Sequence, residues 1–313
     1  APMTIGIGAC GKNAGKAVFA ALRVVEKSGL GAIGGFATFT VISKSGKVLS
    51  AVTQRGGTLT LFTDGEATGV EPPEEFASAE IAGVISSGPD RPVPLEQFIP
   101  AQSGVGLVTG HRIPPASGSN GKPMNQDLLE RMKQEINLVD AVEGVVDASP
   151  TADCGLIGVS CNGQTIARNT ARVKARPDVG ITNFSDSSCS VSVLYNAIKP
   201  KQVLADLAAA VAVDSMSSLL EPKGWITLMV DTPISMGAEN AVFCNEQKES
   251  VEVTTTDPAI GERGEFGAAV YLGSKVVIGN QTVGHTMFEP IITIKNGKLI
   301  EFSGKNTLKM SYN

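Results

Sequence analysis

Phe36-Ala-Thr-Phe-Thr-Val-Ile-Ser-Lys-Ser-Gly-Lys-Val-Leu-Ser-Ala-Val-Thr-Gln-Arg55 decides the reading of this chain. Thr38, Thr40 and Ile42 alternate with Phe39, Val41 and Ser43, a period of two that predicts a strand. Ser45-Gly46 supplies a turn, and a second alternating run returns to Arg55, so the segment predicts a β-hairpin. A helix-patterned run from Gly15 to Lys27 precedes it, with Ala17, Ala20, Ala21, Val24 and Val25 as the expected apolar stripe. The same order recurs later. Residues 125–148 read as helix, divided near Asn137–Asp140, and Gly155 to Thr170 reads as a hairpin turning at Asn162-Gly163.

Outward from these repeats, Thr4–Gly8, 80–86, 104–109, 189–198 and 225–230 predict strands, and 202–220 predicts an alanine-rich helix. The remainder reads as β, with turns near 272–274 in a 267–279 hairpin and at Asn296-Gly297 in a 291–302 hairpin. Hairpins cannot build an all-parallel sheet. The expected fold is therefore α/β in the layered α+β sense, with largely antiparallel sheets covered by helices. No segment reads as a domain linker, so residues 1–313 are expected to form a single domain with two repeat-like halves dividing near 150–200.

The chain has 313 residues, 42% hydrophobic and 18% charged, with a net charge of −5 and 35 glycines. No basic run is long enough to track a phosphate backbone, which argues against a nucleic-acid partner. No apolar run reaches the roughly 20 residues of a membrane span, so no membrane partner is expected. The opening residues lack the basic and apolar regions of a signal peptide; if Met3 is the natural start, Ala1-Pro2 is an expression remnant, and a cleaved precursor is the alternative. Five cysteines without CxxC spacing predict reduced thiols, and the expected location is cytoplasmic.

Phe36–Gly57, with Ser45-Gly46, Thr53-Gln-Arg55 and Gly56-Gly57, resembles the strand pair after the nucleophile in isoaspartyl peptidases and plant-type asparaginases. These are N-terminal-nucleophile (Ntn) hydrolases. Gly155–Gly158 through Asn169-Thr170 is similar to a later hairpin of that family, and the whole chain resembles an uncharacterised bacterial family. The resemblance implies an Ntn-hydrolase-like sandwich. It does not carry over the family's active site, because its nucleophilic Thr falls at Phe36.

Several residues are candidates for chemistry. Cys154 opens a Cys-Gly pair like that of glutamine-dependent amidotransferases, where the thiol leads the mature chain, so it would have to be freed by cleavage after Asp153. Small-residue packing at a strand entrance is the simpler explanation, since activation of the thiol needs a particular environment. Thr53 and an activated water are the other nucleophiles to weigh. His111 and His285 each follow a glycine at a strand end, and His111 is the candidate proton carrier. Arg55, Arg91 and Arg112 sit on loops and could hold a carboxylate bidentately. Gly6–Lys16 is not a phosphate loop, because Cys10 and Ala17 stand where Gly and Ser/Thr are needed, but Lys12 could still meet an anion there. No metal site and no cofactor are expected. Together these residues point to an amide or lactam hydrolase acting on a small anionic metabolite, with glycine-rich backbone as oxyanion donors. The rival reading is a non-catalytic small-molecule-binding or assembly protein, and a homo-oligomer is expected in either case.

Overall fold

The computed structural model describes residues 3–134, 136–217, 221–261, 267 and 269–313. Ala1-Pro2, and the end of the helix expected over 202–220, lie outside them. The chain divides into two compact units, Ala1–Met216 and Ser217–Asn313.

Among its described residues the first unit holds ten strands: β1 (Thr4–Gly11), β2 (Phe36–Ile42), β3 (Val48–Thr53), β4 (Ile81–Ser87), β5 (Ala101–Gln102), β6 (Gly106–His111), β7 (Gly155–Ser160), β8 (Gln164–Asn169), β9 (Val179–Ser185) and β10 (Cys189–Asn196). Its longer helices are α1 (Ala14–Lys27), α2 (Met124–Met132), α3 (Leu138–Asp147) and α4 (Val203–Met216). One antiparallel sheet runs β3-β2-β4-β1-β10-β9, and a second runs β5-β6-β7-β8. The two expected hairpins are β2–β3 and β7–β8, and they belong to different sheets. Their loops, residues 43–47 and 161–163, are longer than two-residue turns.

Helix α1 buries Ala14, Ala17, Val18, Ala21, Leu22 and Val25, a stripe displaced from the expected one because Ala20 and Val24 lie at its margin. With Ala205, Ala208 and Ala212 of α4 this stripe packs against Ile5, Ile7, Phe39 and Val193 on one face of the larger sheet. The small side chains allow close helix approach. The other face meets the smaller sheet through Phe36, Ile85, Leu107, Ile157 and Val159, with Leu128, Val142 and Val145 from α2 and α3 in the same cluster. Glycines set this second contact. A Cβ on Gly8 would lie 2.5 Å from Val159 Cγ2, and one on Gly6 would lie 2.5 Å from the Gly110 carbonyl oxygen. The two backbones touch where side chains would normally intervene.

The second unit is a five-stranded sheet, order β12 (Ile234–Met236), β14 (Ser250–Thr255), β13 (Ala241–Cys244), β15 (Lys275–Ile278), β16 (Gln281–His285). Two ribbons accompany it: β11 (Gly224–Met229) with β19 (Thr307–Tyr312), and β17 (Thr293–Lys295) with β18 (Lys298–Glu301). Asn296 and Gly297 both have positive φ, as a type I′ turn requires. The other hairpin turns at Gly279-Asn280, beyond the expected 272–274.

The expected Ntn-hydrolase-like sandwich covered by helices is therefore corrected. Strand makes up 38% and helix 22%, spread over several small antiparallel and mixed sheets. Among the described residues of the second unit the only helical segment is the short 3₁₀ turn Pro258–Gly261. The physical reason lies partly in the connections, since tight turns such as Gly279-Asn280 and Asn296-Gly297 join neighbouring strands with no chain between them for a covering helix.

Candidate functional site

One end of the larger sheet gathers the chemistry. Phe36 pairs with Ser87, Ser87 with Thr4, and Thr4 with Asn196, so these four residues form a row across β2, β4, β1 and β10. Directly opposed residues present their side chains to the same face. Two segments leave strands here: Gly88–Pro94 after β4, and Arg112–Pro115 after β6. Between them lies a cleft of ≈ 430 Å³, lined by Thr4, Phe36, Ile85, Phe98, Ile113 and several prolines, with Arg91 and Arg112 as its cationic residues. Phe36 and Phe98 meet at 4.7 Å between ring centroids.

Arg91 is held from three directions. Its backbone N–H donates to Gln54 Oε1 at 2.8 Å, and Gln54 Nε2 donates to its carbonyl at 2.7 Å. Its Nε donates to Ser87 Oγ at 3.0 Å. Among the described residues no carboxylate pairs with it. Burial, and then the charge of Arg112, lower its pKa from the ordinary arginine value. Arg112 sits at φ 61, left-handed backbone that costs a non-glycine residue about 1 kcal/mol or more. Its Nη2 lies 3.5 Å from Asp153 Oδ2, and its Nε is buried without a partner among the described residues. It also lines a shallow outer recess with Asp153, Thr151 and Arg172.

His111, one residue earlier, is fully buried. Its Nε2 lies 2.8 Å from Asn169 Oδ1. An amide oxygen only accepts, so Nε2 carries the proton and Nδ1 is the basic nitrogen. That Nδ1 is buried without a partner among the described residues. Burial pushes the imidazole down to about 4, against the opposing pull of Asn169 and Asp153. The ring is neutral at neutral pH.

The remaining sequence candidates are placed elsewhere. Cys154 is fully buried, and burial followed by the charge of Asp153 pushes its thiol well above the usual range, which disfavours the nucleophilic thiolate. Thr53 Oγ1 is engaged by the Arg55 carbonyl and by Thr60 Oγ1, both at 2.8 Å. Arg55 is exposed, and its guanidinium forks onto Asp90 at 3.1 and 3.0 Å. Lys12 follows the last residue of β1 whereas Thr4 begins it, so roughly 25 Å of strand separates Lys12 from the cleft. His285 is exposed on the second unit. Of the sequence candidates, Arg91 and Arg112 line this cleft and His111 precedes Arg112 without lining it, whereas Gln54, Asp153 and Phe98 are not among the candidates and Phe36 reads in sequence only as the place of a missing nucleophile. An arginine loop followed by Pro92, Pro94, Pro114 and Pro115 was the available signal.

Residues 4–225, well over half of the chain, match the family described as domain of unknown function DUF6963. The chain belongs to this family. The DUF6963 segment contains every residue of the cleft. Residues 231–307 match a second family of unknown function, DUF7259, inside the second unit. No curated protein matches the chain.

Thiol reactivity checks the placement of the cysteines. Cys10, Cys154, Cys189 and Cys244 are buried and Cys161 is partly exposed. A chromogenic disulfide reagent is expected to label one thiol of the native protein quickly and the other four only on unfolding. Fast native labelling at Cys154, located by peptide mapping, would contradict its burial.

Proposed function

We propose that the DUF6963 segment binds a small organic anion, with the acid group on Arg91 and Arg112 and an apolar ring against Phe36 and Phe98. The observation that carries this is the pair of guanidiniums on one apolar cleft, one of them without a carboxylate partner among the described residues. Arg91 faces the cleft without a carboxylate and Arg112 shares Asp153 with Arg176, so a bound anion would complete the charge balance there. A cleft of ≈ 430 Å³ is the size of ordinary small-molecule sites. The reading places the protein in the cytoplasm, supported by five free cysteines. Among the described residues no helix is long and apolar enough to cross a membrane.

Hydrolysis of an amide or lactam in the bound anion is the second reading. It is favoured by the neutral ring of His111, with its unpartnered Nδ1, one residue from Arg112. Neither Cys154 nor Thr53 lines the cleft, so a water is the nucleophile this reading requires.

Thermal-shift screening of carboxylates and phosphates, followed by calorimetry, tests the binding. Charge-assisted hydrogen bonds contribute about 1.5–3 kcal/mol each, so Arg91→Ala and Arg112→Ala are each expected to weaken the best anion at least about tenfold. Unchanged affinity in both variants would remove the site. Mass spectrometry of the ligand after incubation separates binding from turnover.

A further inference from the structure

The charges behind the cleft select among anions. Arg176 is satisfied by Asp178 through two bonds of 2.9 and 3.0 Å. Its contact with Asp153 is the longer one, 3.4 Å. Arg112 reaches the other oxygen of the same carboxylate at 3.5 Å, in a pair about a quarter exposed on either side, so Arg112 and Arg176 share the charge of Asp153. Arg172 stands exposed over the outer recess, donating to the Thr151 carbonyl, and water screens it. Arg55 is neutralised by Asp90. Asp153 and Asp178 together balance Arg112 and Arg176, so among the described residues Arg91 is the cleft cation without a carboxylate, while Arg112 contributes donors more than net charge.

Resting on the anion-binding reading above, we infer that the cleft selects a ring-bearing monocarboxylate over a dianion, and that Asp153 is the residue that sets this preference. The geometry separates the two roles. Arg91 is anchored by Gln54 and Ser87 and cannot follow a second acid group, whereas Arg112 is tied to Asp153 from behind. A second carboxylate in the cleft would compete with Asp153 for one guanidinium and would have no further cation to meet. The apolar lining by Phe36, Phe98 and Ile113 gives such a charge no other partner. Asp153 does not line the cleft, so it is a positioning residue acting through Arg112.

The experiment titrates wild type, Asp153→Asn and Arg176→Ala with benzoate and with isophthalate, which share a ring and differ by one carboxylate. Wild type is expected to prefer benzoate at least about tenfold. Asp153→Asn releases Arg112 and is expected to shift that preference toward isophthalate by about tenfold. A merely structural role would lower both affinities and leave their ratio alone. Arg176→Ala, which leaves Asp153 wholly to Arg112, is expected to weaken both ligands and keep the benzoate preference. If both ligands bind and Asp153→Asn leaves their ratio unchanged, the inference is wrong and the anion site stands. If Asp153→Asn does not fold, tighter or unchanged benzoate binding in Arg176→Ala overturns it. If wild type binds neither these nor any other carboxylate, the anion-binding reading itself fails.

Discussion

Gly110→Ala is expected to cost about 4 kcal/mol of stability or more, at the upper end of what a single substitution does. Gly110 has φ 147, a region that only glycine enters readily. A Cβ there would lie 2.1 Å from the Gly155 carbonyl oxygen and 3.1 Å from Leu156 Cα. Both are backbone atoms of the neighbouring strand β7, so no side-chain rotation relieves the overlap. On the other side, the Gly110 carbonyl already lies where a Cβ on Gly6 would fall, at 2.5 Å, so β6 cannot retreat toward the larger sheet. The strand is confined from both directions. Gly163→Ala is the control. Its φ of 85 is also positive, but nothing lies within 4 Å of the added methyl, so about 1 kcal/mol is expected from backbone strain alone. Urea denaturation of the two variants against wild type measures the difference. Equal, small losses would mean that Gly110 is not pressed against the β7 backbone beside His111.

That contact also marks where sequence reading stops. The β2–β3 and β7–β8 hairpins follow from alternation and from Gly46 and Gly163, signals confined to twenty residues. Division of the 125–148 helix at Asn137 was legible too, because Asn137 accepts from the Val139 N–H and caps the second piece. The row Phe36–Ser87–Thr4–Asn196 was not, since it joins four strands spread over 193 positions of the chain (4 to 196), and register between distant strands leaves no local pattern. Phe36 illustrates the consequence. Beside a family motif it reads as a missing nucleophile, yet in space its ring is a wall of the cleft. Asp153 reads as the neighbour of a cysteine, and only the fold brings Arg112 and Arg176 to it. The arginines Arg91 and Arg112 drew notice because they sit on loops just after strands, whereas Gln54, which fixes the backbone of Arg91 from a strand exit 37 residues away, carries no motif.

Acidification is expected to destabilise the wild type between pH 6.5 and about 4 through His111. The folded imidazole is pushed down to about 4, chiefly by burial, from an ordinary value near 6.5. The unfolded chain therefore binds a proton across this window and the folded protein does not. Stability is fully present above the unfolded value and falls as pH drops toward the folded one, by about 3 kcal/mol at 1.36 kcal/mol per pH unit. Carboxylates with lowered values act lower on the scale. Asp178, held below the usual range first by the Arg176 hydrogen bond, contributes stability that is present above about 3.8 and lost only as pH falls through its lower folded value. Glu26, raised above its ordinary value chiefly by burial, acts in the opposite sense within the interval, so the histidine is isolated by comparison with its own variant. His111→Gln keeps an Nε2 donor for Asn169 and removes the titration. Its unfolding free energy is expected to be lower than wild type at pH 7, because the cavity is imperfectly refilled, and to change less between pH 6.5 and 4.5. Denaturant titrations at four pH values would measure both slopes. Parallel slopes for wild type and His111→Gln would show that the ring takes its proton without unfolding, and a charged imidazole beside Arg112 would then be available to the bound anion as a third cation.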